Sequence, residues 1–388
     1  MQTFTSPNYV FSDGLRHVDP YFQHIKTTVK TRWRNRTVLD VLSSEFRSIS
    51  QLECLKRIKK KQIIILHQQK LTKKEKKEQR RLTGSPKVVR KIEYPEIMDF
   101  KLQDNDVIVR QEHIHERSVY GVCSKDIEIV YEDTGILVIN KPSGIPIHPV
   151  QNYYFNSLVK ILEYEGWKNT PPENTMALRP CYRLDKLTSG VCIFAKSPET
   201  ASRIQRDIQD REVEKVYIAR VKGRFPENEF VCNDDVIVLD TKKGKTDGIM
   251  KKEAKTVFQR IIYNPVLNES IVRCLPKTGR THQIRIHLRN LGHPISNDPL
   301  YGDGKLMSSS KLNDLSRDTD AIFDQIRLEA EVNRSKSESS ELCKDCGVSL
   351  YTQTEANKLV IYLHAISYGL KDEEGWKYET KNPDWVNI

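Results

Sequence analysis

The stretch Cys181–Lys196 reads C-Y-R-L-D-K-L-T-S-G-V-C-I-F-A-K and places one carboxylate, Asp185, between two cations, Arg183 and Lys186. An apolar run that follows a glycine turn is typical of a buried strand. Asp185 is therefore predicted to lie on the loop that leads into the core, and loops held by a rigid strand often carry catalytic side chains. A lone R-x-D is more often a surface pair or a turn cap, so the other motifs must decide between these interpretations.

The charge balance points to a polyanionic partner. The 388 residues include 63 Lys and Arg against 52 Asp and Glu, a net charge of +11. Lysine and arginine gain affinity for phosphates by releasing counterions. No apolar run approaches the roughly twenty residues that span a bilayer, so the sequence predicts a soluble protein of two or three domains.

The eight cysteines do not suggest a disulfide framework. The N-terminus has no secretory signal, so most of them are interpreted as reduced core residues. Cys343 and Cys346 have metal-ligand spacing, but one pair supplies only half of a zinc site and no second pair stands at a usual distance. We therefore expect a plain reduced hairpin there and no metal.

The first third of the chain is predicted to form an N-terminal arm (1–30) and a small basic module (31–118). Apolar residues between Val38 and Phe46 recur at helical spacing. The basic runs are Lys59–Lys61, Lys73–Lys77 and Arg80-Arg81. Such runs usually belong to a solvated face or a tail, but the apolar segment Ile63–Leu66 interrupts them and favours a folded module with a basic loop.

Residues 119–388 are predicted to form a larger α+β domain with a polar insertion at about 303–342. Its predicted elements are strands from Ile127, a break at Lys141–Gly144, a helix from Ser197-Pro198, a strand at Glu214–Val221 and a helix from Thr281 to Gly292, and the core is predicted to resume at Leu359–Ala365. Arg285 lies beside the apolar face of the predicted helix, so it is expected to point inward along the core boundary.

Four segments of this domain resemble, in order, the motifs of the RluA family of pseudouridine synthases. They are Y-R-L-D-K-L-T-S-G, E-K-V-Y-I-A-R-V, K-T-G-R-T-H-Q-I-R-I-H-L and G-H-P-I-S-N-D-P-L-Y-G, within Asp126–Gly302. The segment Arg32–His115 is similar to the S4-like RNA-binding module that precedes the catalytic domain in fungal members. The resemblance implies a mixed, mainly antiparallel central sheet flanked by helices, and an enzyme that isomerises uridine in RNA.

The resemblance also implies roles for individual residues. Asp185 matches the nucleophile, Arg285 the arginine that pairs with it, and Tyr217 the tyrosine that stacks on the uracil. Arg183 matches the residue that fills the space left by the flipped base. The remaining residues assigned to RNA binding are Arg280, Lys59, Lys60 and Lys61. The reaction gains no atom and transfers no electron, so neither a cofactor nor a metal is expected.

One position departs from the family, which commonly has His or Asn where this chain has Tyr182. The C-Y-R-L-D-K motif together with the R-W-R-N-R start suggests a fungal-type enzyme acting on tRNA at position 31 of the anticodon stem. We also expect a monomer, located in the cytoplasm or with a mitochondrial fraction. The alternatives are a position 32 or rRNA enzyme of the same family, or an RNA-binding protein whose catalytic domain has decayed. A nucleic-acid deaminase is disfavoured, because the sequence lacks an H-x-E with a P-C-x-x-C partner.

Overall fold

The fold is taken from a computed structural model that describes residues 6–46, 50–68, 89–150, 152–168, 170–239, 249–302, 338–372 and 375–388. The basic runs at 73–77 and 80–81 lie outside the described residues, as do residues 303–337 of the insertion predicted at about 303–342. The described chain divides into two compact units, Pro20–Ile114 and a larger unit of Ser6–Asp19 with His115–Ile388.

These units differ from the predicted domain boundaries at the N-terminus. Strands β1 (Tyr9–Ser12) and β2 (Leu15–Val18) form an antiparallel hairpin, and β2 also pairs with β7 (Val119–Tyr120). Residues predicted to form an irregular arm therefore belong to the larger unit. The smaller unit begins with β3 (Tyr21–Thr28).

The smaller unit contains a four-stranded antiparallel sheet in the order β3-β6-β4-β5 and two helices. The elements are β4 (Ile63–Gln68), β5 (Val89–Ile92), β6 (Val107–Ile114), α1 (Val38–Glu45) and α2 (Gln51–Lys59). Thr37 and Ser50 begin the helices, since their side chains accept hydrogen bonds from the amides of Asp40 and Glu53. The predicted helix near residue 38 and the predicted strand at 63–66 are confirmed.

The larger unit is organised on a sheet in the order β13-β16-β17-β12-β20-β11-β9-β8, with β10 on β11 and β21 on β20. Its strands are β8 (Ile129–Glu132), β9 (Ile136–Lys141), β10 (Arg179–Pro180), β11 (Ser189–Ala195), β12 (Val213–Lys222), β13 (Phe230–Cys232), β16 (Thr256–Asn264), β17 (Glu269–Pro276), β20 (Leu363–Leu370) and β21 (Lys377–Glu379). Two separate hairpins are β14 (Val236–Leu239) with β15 (Ile249–Lys252) and β18 (Glu338–Leu342) with β19 (Ser349–Tyr351). Every pairing described in the sheet is antiparallel except β11 with β20, which confirms the predicted α+β class and mixed sheet.

Three helices pack their apolar faces into the core of this sheet. They are α3 (Leu158–Glu165), α4 (Pro198–Gln209) and α5 (Gln283–Asn290). Ser197 begins α4 by accepting a hydrogen bond from the Thr200 amide, as its sequence predicts. Among the described residues, no helix is long and apolar enough to cross a membrane.

The single parallel contact fixes where β11 begins. Gly190 lies opposite Ala365 of β20, with a φ of 113°. A Cβ at Gly190 would lie 2.2 Å from the Ala365 carbonyl oxygen, so only glycine fits this close approach. The loop that carries Asp185 therefore joins the core at a fixed point.

The core resumes at Leu359–Ala365 as predicted, since Leu359, Ile361 and Leu363 are buried. Ala356–Leu359 is a short 3₁₀ turn, and β20 begins only at Leu363. The backbone of Val360 and Tyr362 bonds instead to the side chain of Asn297, which accepts from the Tyr362 amide and donates to the Val360 carbonyl. A side chain from a distant loop thus holds the backbone directly before β20.

We predict that His364 makes folding sensitive to mild acid. The buried ring lies 2.8 Å from Ser189 Oγ and 2.7 Å from Thr380 Oγ1, and burial lowers its pKa to about 4. The unfolded chain therefore takes up this proton at a higher pH than the folded chain, and stability falls as pH drops from about 6.5 towards 4. Between pH 7.5 and 5, the free energy of unfolding should fall by about 2 kcal/mol more in the native chain than in His364→Gln. Urea titrations at both pH values measure this difference, and parallel pH dependences would contradict it.

Candidate active site

Asp185 lies on the loop between β10 and β11, and 29% of its side chain is exposed. The Thr188 amide donates to the Asp185 carbonyl oxygen at 3.1 Å and closes a turn directly before β11. The carboxylate is therefore held at the end of a buried strand, where the sequence predicted it.

A buried lysine holds the other side of this loop. Lys141 is fully buried and its Nζ donates to the Lys186 carbonyl oxygen at 3.1 Å. Ser143 Oγ donates to the carbonyl oxygen of Leu187. The burial lowers the pKa of Lys141 to about 7. The sequence suggested only a chain break here, whereas these side chains fix the two carbonyls that follow Asp185.

Arg285 on α5 lies behind the carboxylate and is only 3% exposed. Its Nε and Nη2 atoms each donate to one oxygen of Asp298 at 2.7 Å. Its Nη1 atom lies 3.6 Å from Asp185 Oδ2, beyond ordinary hydrogen-bond length. Asp298 also accepts hydrogen bonds from the amides of Leu300 and Tyr301, at 2.8 and 3.1 Å. The guanidinium is thus anchored on Asp298 with its remaining face towards Asp185.

His282 is a second neighbour of the carboxylate. Its Nε2 atom lies 3.7 Å from Asp185 Oδ2, and its Nδ1 atom lies 3.0 Å from the Tyr301 hydroxyl. Burial lowers the pKa of His282, although the nearby Asp185 charge opposes that shift. The imidazole is therefore mainly neutral near pH 7. Arg285, whose guanidinium also lies 5.0 Å from the centre of the Tyr301 ring, is the permanent positive charge beside Asp185.

Three tyrosines lie together beside the carboxylate loop. The hydroxyls of Tyr217 and Tyr368 form a hydrogen bond, and the Tyr182 ring stacks on Tyr368 with 4.3 Å between centroids and 3° between planes. Tyr182 also donates to the Val191 carbonyl oxygen at 2.9 Å. Burial raises the pKa of Tyr217 and Tyr368, so both hydroxyls keep their protons at neutral pH. The departure from the family at Tyr182 is accommodated by this stack.

These groups line a cavity of about 550 Å³, a volume typical of small-molecule sites. The predicted residues that line it are Arg183, Asp185, Tyr217, Arg280 and Arg285. Arg183 is exposed, and Arg280 Nε donates to the Glu253 carbonyl oxygen at 2.9 Å. The structure thus brings five predicted residues to one site.

The three predicted lysines lie elsewhere, at the end of α2 in the smaller unit. All three, Lys59, Lys60 and Lys61, are exposed, and Lys61 forms an ion pair with Glu93 at 2.7 Å. They do not line the cavity.

Several residues that shape this site had no role in the sequence-based prediction. Asp298 stood within the quoted motif G-H-P-I-S-N-D-P-L-Y-G, and His282 within T-H-Q-I-R. A buried arginine needs a carboxylate partner, and that requirement was a signal for Asp298. Tyr368 and Lys141 carried no comparable signal, because their contacts join segments that are far apart in the chain.

Comparisons with known proteins agree with this geometry. The family model for RNA pseudouridylate synthases matches residues 135–290. The chain is 34% identical to the mitochondrial tRNA pseudouridine(32) synthase of Saccharomyces cerevisiae, over 98% of this chain and 79% of that protein. It is 31% identical to the tRNA pseudouridine(31) synthase of the same yeast, over 97% of this chain and 96% of that protein.

A solved structure, that of the human RNA pseudouridylate synthase domain containing 1, aligns with 68% of this chain and 86% of its own, with 22% identity and a TM-score of 0.44. The two yeast relatives match nearly the full length of the chain. The chain therefore belongs to the RluA family of pseudouridine synthases.

Proposed function

We propose that this enzyme converts uridine to pseudouridine at position 31 of the tRNA anticodon stem, with Asp185 as the catalytic carboxylate. The observation that carries the proposal is the position of Asp185 in the cavity, 3.6 Å from an arginine anchored on Asp298. Two relatives that match nearly the whole chain are named as tRNA enzymes for positions 31 and 32.

The reaction needs few groups. The bond between ribose C1′ and N1 of uracil breaks, the base turns, and a bond forms between C1′ and C5. The proton on C5 must then leave, and N1 regains one. Asp185 would either attack C1′ or assist loss of the C2′ proton to give a glycal, and both routes need the carboxylate beside the ribose.

Arg285 supplies the charge that such a carboxylate requires in a closed cavity. An unpaired buried carboxylate is costly, and bound RNA would remove the water that now reaches Asp185. Because Asp298 takes two guanidinium nitrogens, Nη1 stays directed at Asp185. Asp298 therefore acts as a positioning residue through Arg285.

The aromatic side of the cavity suits a detached base. We assign Tyr217 to stacking on uracil, a contact worth roughly 1–3 kcal/mol per base. A uridine within a stem must be flipped out at a cost of a few kcal/mol. Arg183 is exposed and lines the cavity, which suits a side chain that fills the vacated space.

The smaller unit is proposed to bind the tRNA backbone. Its S4-like character remains a prediction, as does the monomeric state. The exposed lysines at the end of α2 supply charge for phosphates. The cytoplasmic location also remains a prediction, since one relative is named as mitochondrial and the other carries no compartment in its name.

Position 32 is the second candidate target. The relative named for position 32 has the higher identity, 34% against 31%. The relative named for position 31 matches this chain over more of its own length, 96% against 79%. Mapping the modified nucleotide decides between them.

We predict that Asp185→Asn lowers kcat by roughly 10³-fold or more, because it removes the catalytic carboxylate while keeping the side-chain shape. The assay is release of tritium from C5 of labelled uridine in a tRNA transcript, followed by mapping of the modified nucleotide. The affinity for tRNA should stay nearly unchanged. Asp235→Asn, at an exposed position of the same unit, is the matched control and should turn over normally.

Pseudouridine mapped to position 31 would support the full proposal. Pseudouridine mapped to position 32 would support the same reaction at the neighbouring nucleotide. Asp185→Asn activity above a few per cent of the native rate would contradict the catalytic assignment. Salt-sensitive binding without any tritium release by the native chain would instead favour the decayed RNA-binding protein.

A second prediction concerns the buried pair of Arg285 and Asp298. Arg285→Met should lower the free energy of unfolding by about 3–5 kcal/mol, because it leaves a buried carboxylate without its partner. Adding Asp298→Asn should recover much of that stability, since the amide oxygen still accepts the two backbone hydrogen bonds. The double variant should nevertheless stay inactive. Urea unfolding and tritium release measure both effects, and recovered activity in the double variant would contradict the role of Arg285.

A third prediction tests the basic module. Neutralising Lys59, Lys60 and Lys61 to glutamine should raise Kd for tRNA more than it lowers kcat, because these lysines lie outside the cavity. The slope of log Kd against log salt concentration should fall by about one for each phosphate that the variant can no longer neutralise. The control neutralises three exposed lysines of the larger unit, Lys125, Lys371 and Lys381. Equal effects of the two triple variants would show that the module has no special part in binding.

A further inference from the structure

The hairpin of β18 and β19 carries two cysteines in a tight turn. The Cys343 amide donates to the Val348 carbonyl oxygen at 2.9 Å, and the Gly347 amide donates to the Cys343 carbonyl oxygen at 2.8 Å. Gly347 has a φ of 70°, so it reverses the chain directly after Cys346. Both sulfur atoms are thereby presented on one short loop.

A histidine from a distant part of the same unit joins these thiols. The Nε2 atom of His115 lies 3.3 Å from Cys346 Sγ. The ligand atoms of His115, Cys343 and Cys346 all lie within 4.8 Å of one another. Bonds of about 2.3 Å to sulfur and 2.1 Å to nitrogen place those atoms about 3.6 Å apart around tetrahedral zinc. Small side-chain rotations would therefore bring all three into coordination.

We propose that His115, Cys343 and Cys346 bind a structural zinc ion. Two thiolates and an imidazole are donors that suit tetrahedral zinc. None of the three residues lines the cavity that holds Asp185. The ion therefore serves structure and takes no part in the isomerisation.

The surroundings of the thiolates fit this role. The Asp345 amide lies 3.4 Å from Cys343 Sγ and donates to it. An amide that donates to a ligand sulfur stabilises the charged thiolate and orients it. The ligand side chains are only partly exposed, so an ion can enter and is then largely surrounded by protein.

The hairpin needs such an attachment, because it buries little apolar surface. Leu342 is 60% exposed and Val348 is 50% exposed. No described residue of the hairpin belongs to the buried core. A further anchor is the guanidinium of Arg117, which lies 4.7 Å from the centre of the Tyr351 ring. A zinc ion would fix the hairpin to the segment of chain at His115.

This proposal replaces the expectation of a hairpin without metal. The sequence showed only one C-x-x-C pair, and the nearby imidazole stands 231 positions before Cys346. Ligand spacing is informative only when both halves of a site are close in the chain, as in zinc fingers.

Metal analysis of the purified full-length chain tests the proposal. Inductively coupled plasma mass spectrometry should find one zinc ion per chain in the native protein. Cys343→Ser with Cys346→Ser should lose the ion, and His115→Asn should lose most of it. The matched control is Cys123→Ser, which removes an exposed thiol of the same unit and should retain the full amount. Cobalt substitution of the native chain should give the intense d–d absorption of tetrahedral thiolate coordination.

A native chain without stoichiometric metal would overturn the proposal, and so would a double cysteine variant that retains zinc. If that variant fails to fold, titration of native protein with a thiol-blocking mercurial decides, because blocking must release zinc into a metal-sensitive dye. Hydrogen exchange of residues 338–351 should become faster once the ion is removed, while tRNA isomerisation persists. Unchanged exchange after removal would contradict the structural role.

Discussion

The active site depends on one buried ion pair, between Arg285 and Asp298. Both side chains are almost fully inaccessible to water, so each would be costly without the other. Asp298 in turn is held by two backbone amides, which leaves the pair little freedom to move. The position of the positive charge beside Asp185 is therefore decided by a contact that does not include Asp185.

The loop that carries Asp185 is constrained from two further directions. Gly190 allows the close parallel approach of β20 directly after the loop, and Lys141 with Ser143 holds the carbonyls of Lys186 and Leu187. Burial of Lys141 disfavours its charged form, and this burial lowers the stability of the fold. A turn held by uncharged groups would avoid that loss. Asp185 is therefore held from both sides of its loop.

The sequence predicted those helices and strands that depend on the local pattern of apolar and capping residues. The helix at Val38 followed from its apolar spacing, the helix after Ser197 followed from its cap and apolar spacing, and the class of sheet followed from the family motifs. It did not indicate contacts with side chains that are distant in the chain, such as those of Asn297 with the backbone of Val360 and Tyr362. For the same physical reason, the sequence did not indicate that the Tyr368 ring stacks on Tyr182. Periodicity describes one segment at a time, whereas these contacts are made between segments.

Two arginines that line the cavity, Arg183 and Arg285, differ in how firmly they are held. Arg285 is committed to Asp298 and is shielded by the Tyr301 ring, so it cannot turn to a phosphate without breaking the buried pair. Arg183 is exposed on the loop that carries Asp185, and no carboxylate of the described residues holds it in an ion pair. The Arg183 side chain can therefore change its contacts while Arg285 stays fixed. The positive charge beside Asp185 is thus independent of the exposed guanidinium on the same loop.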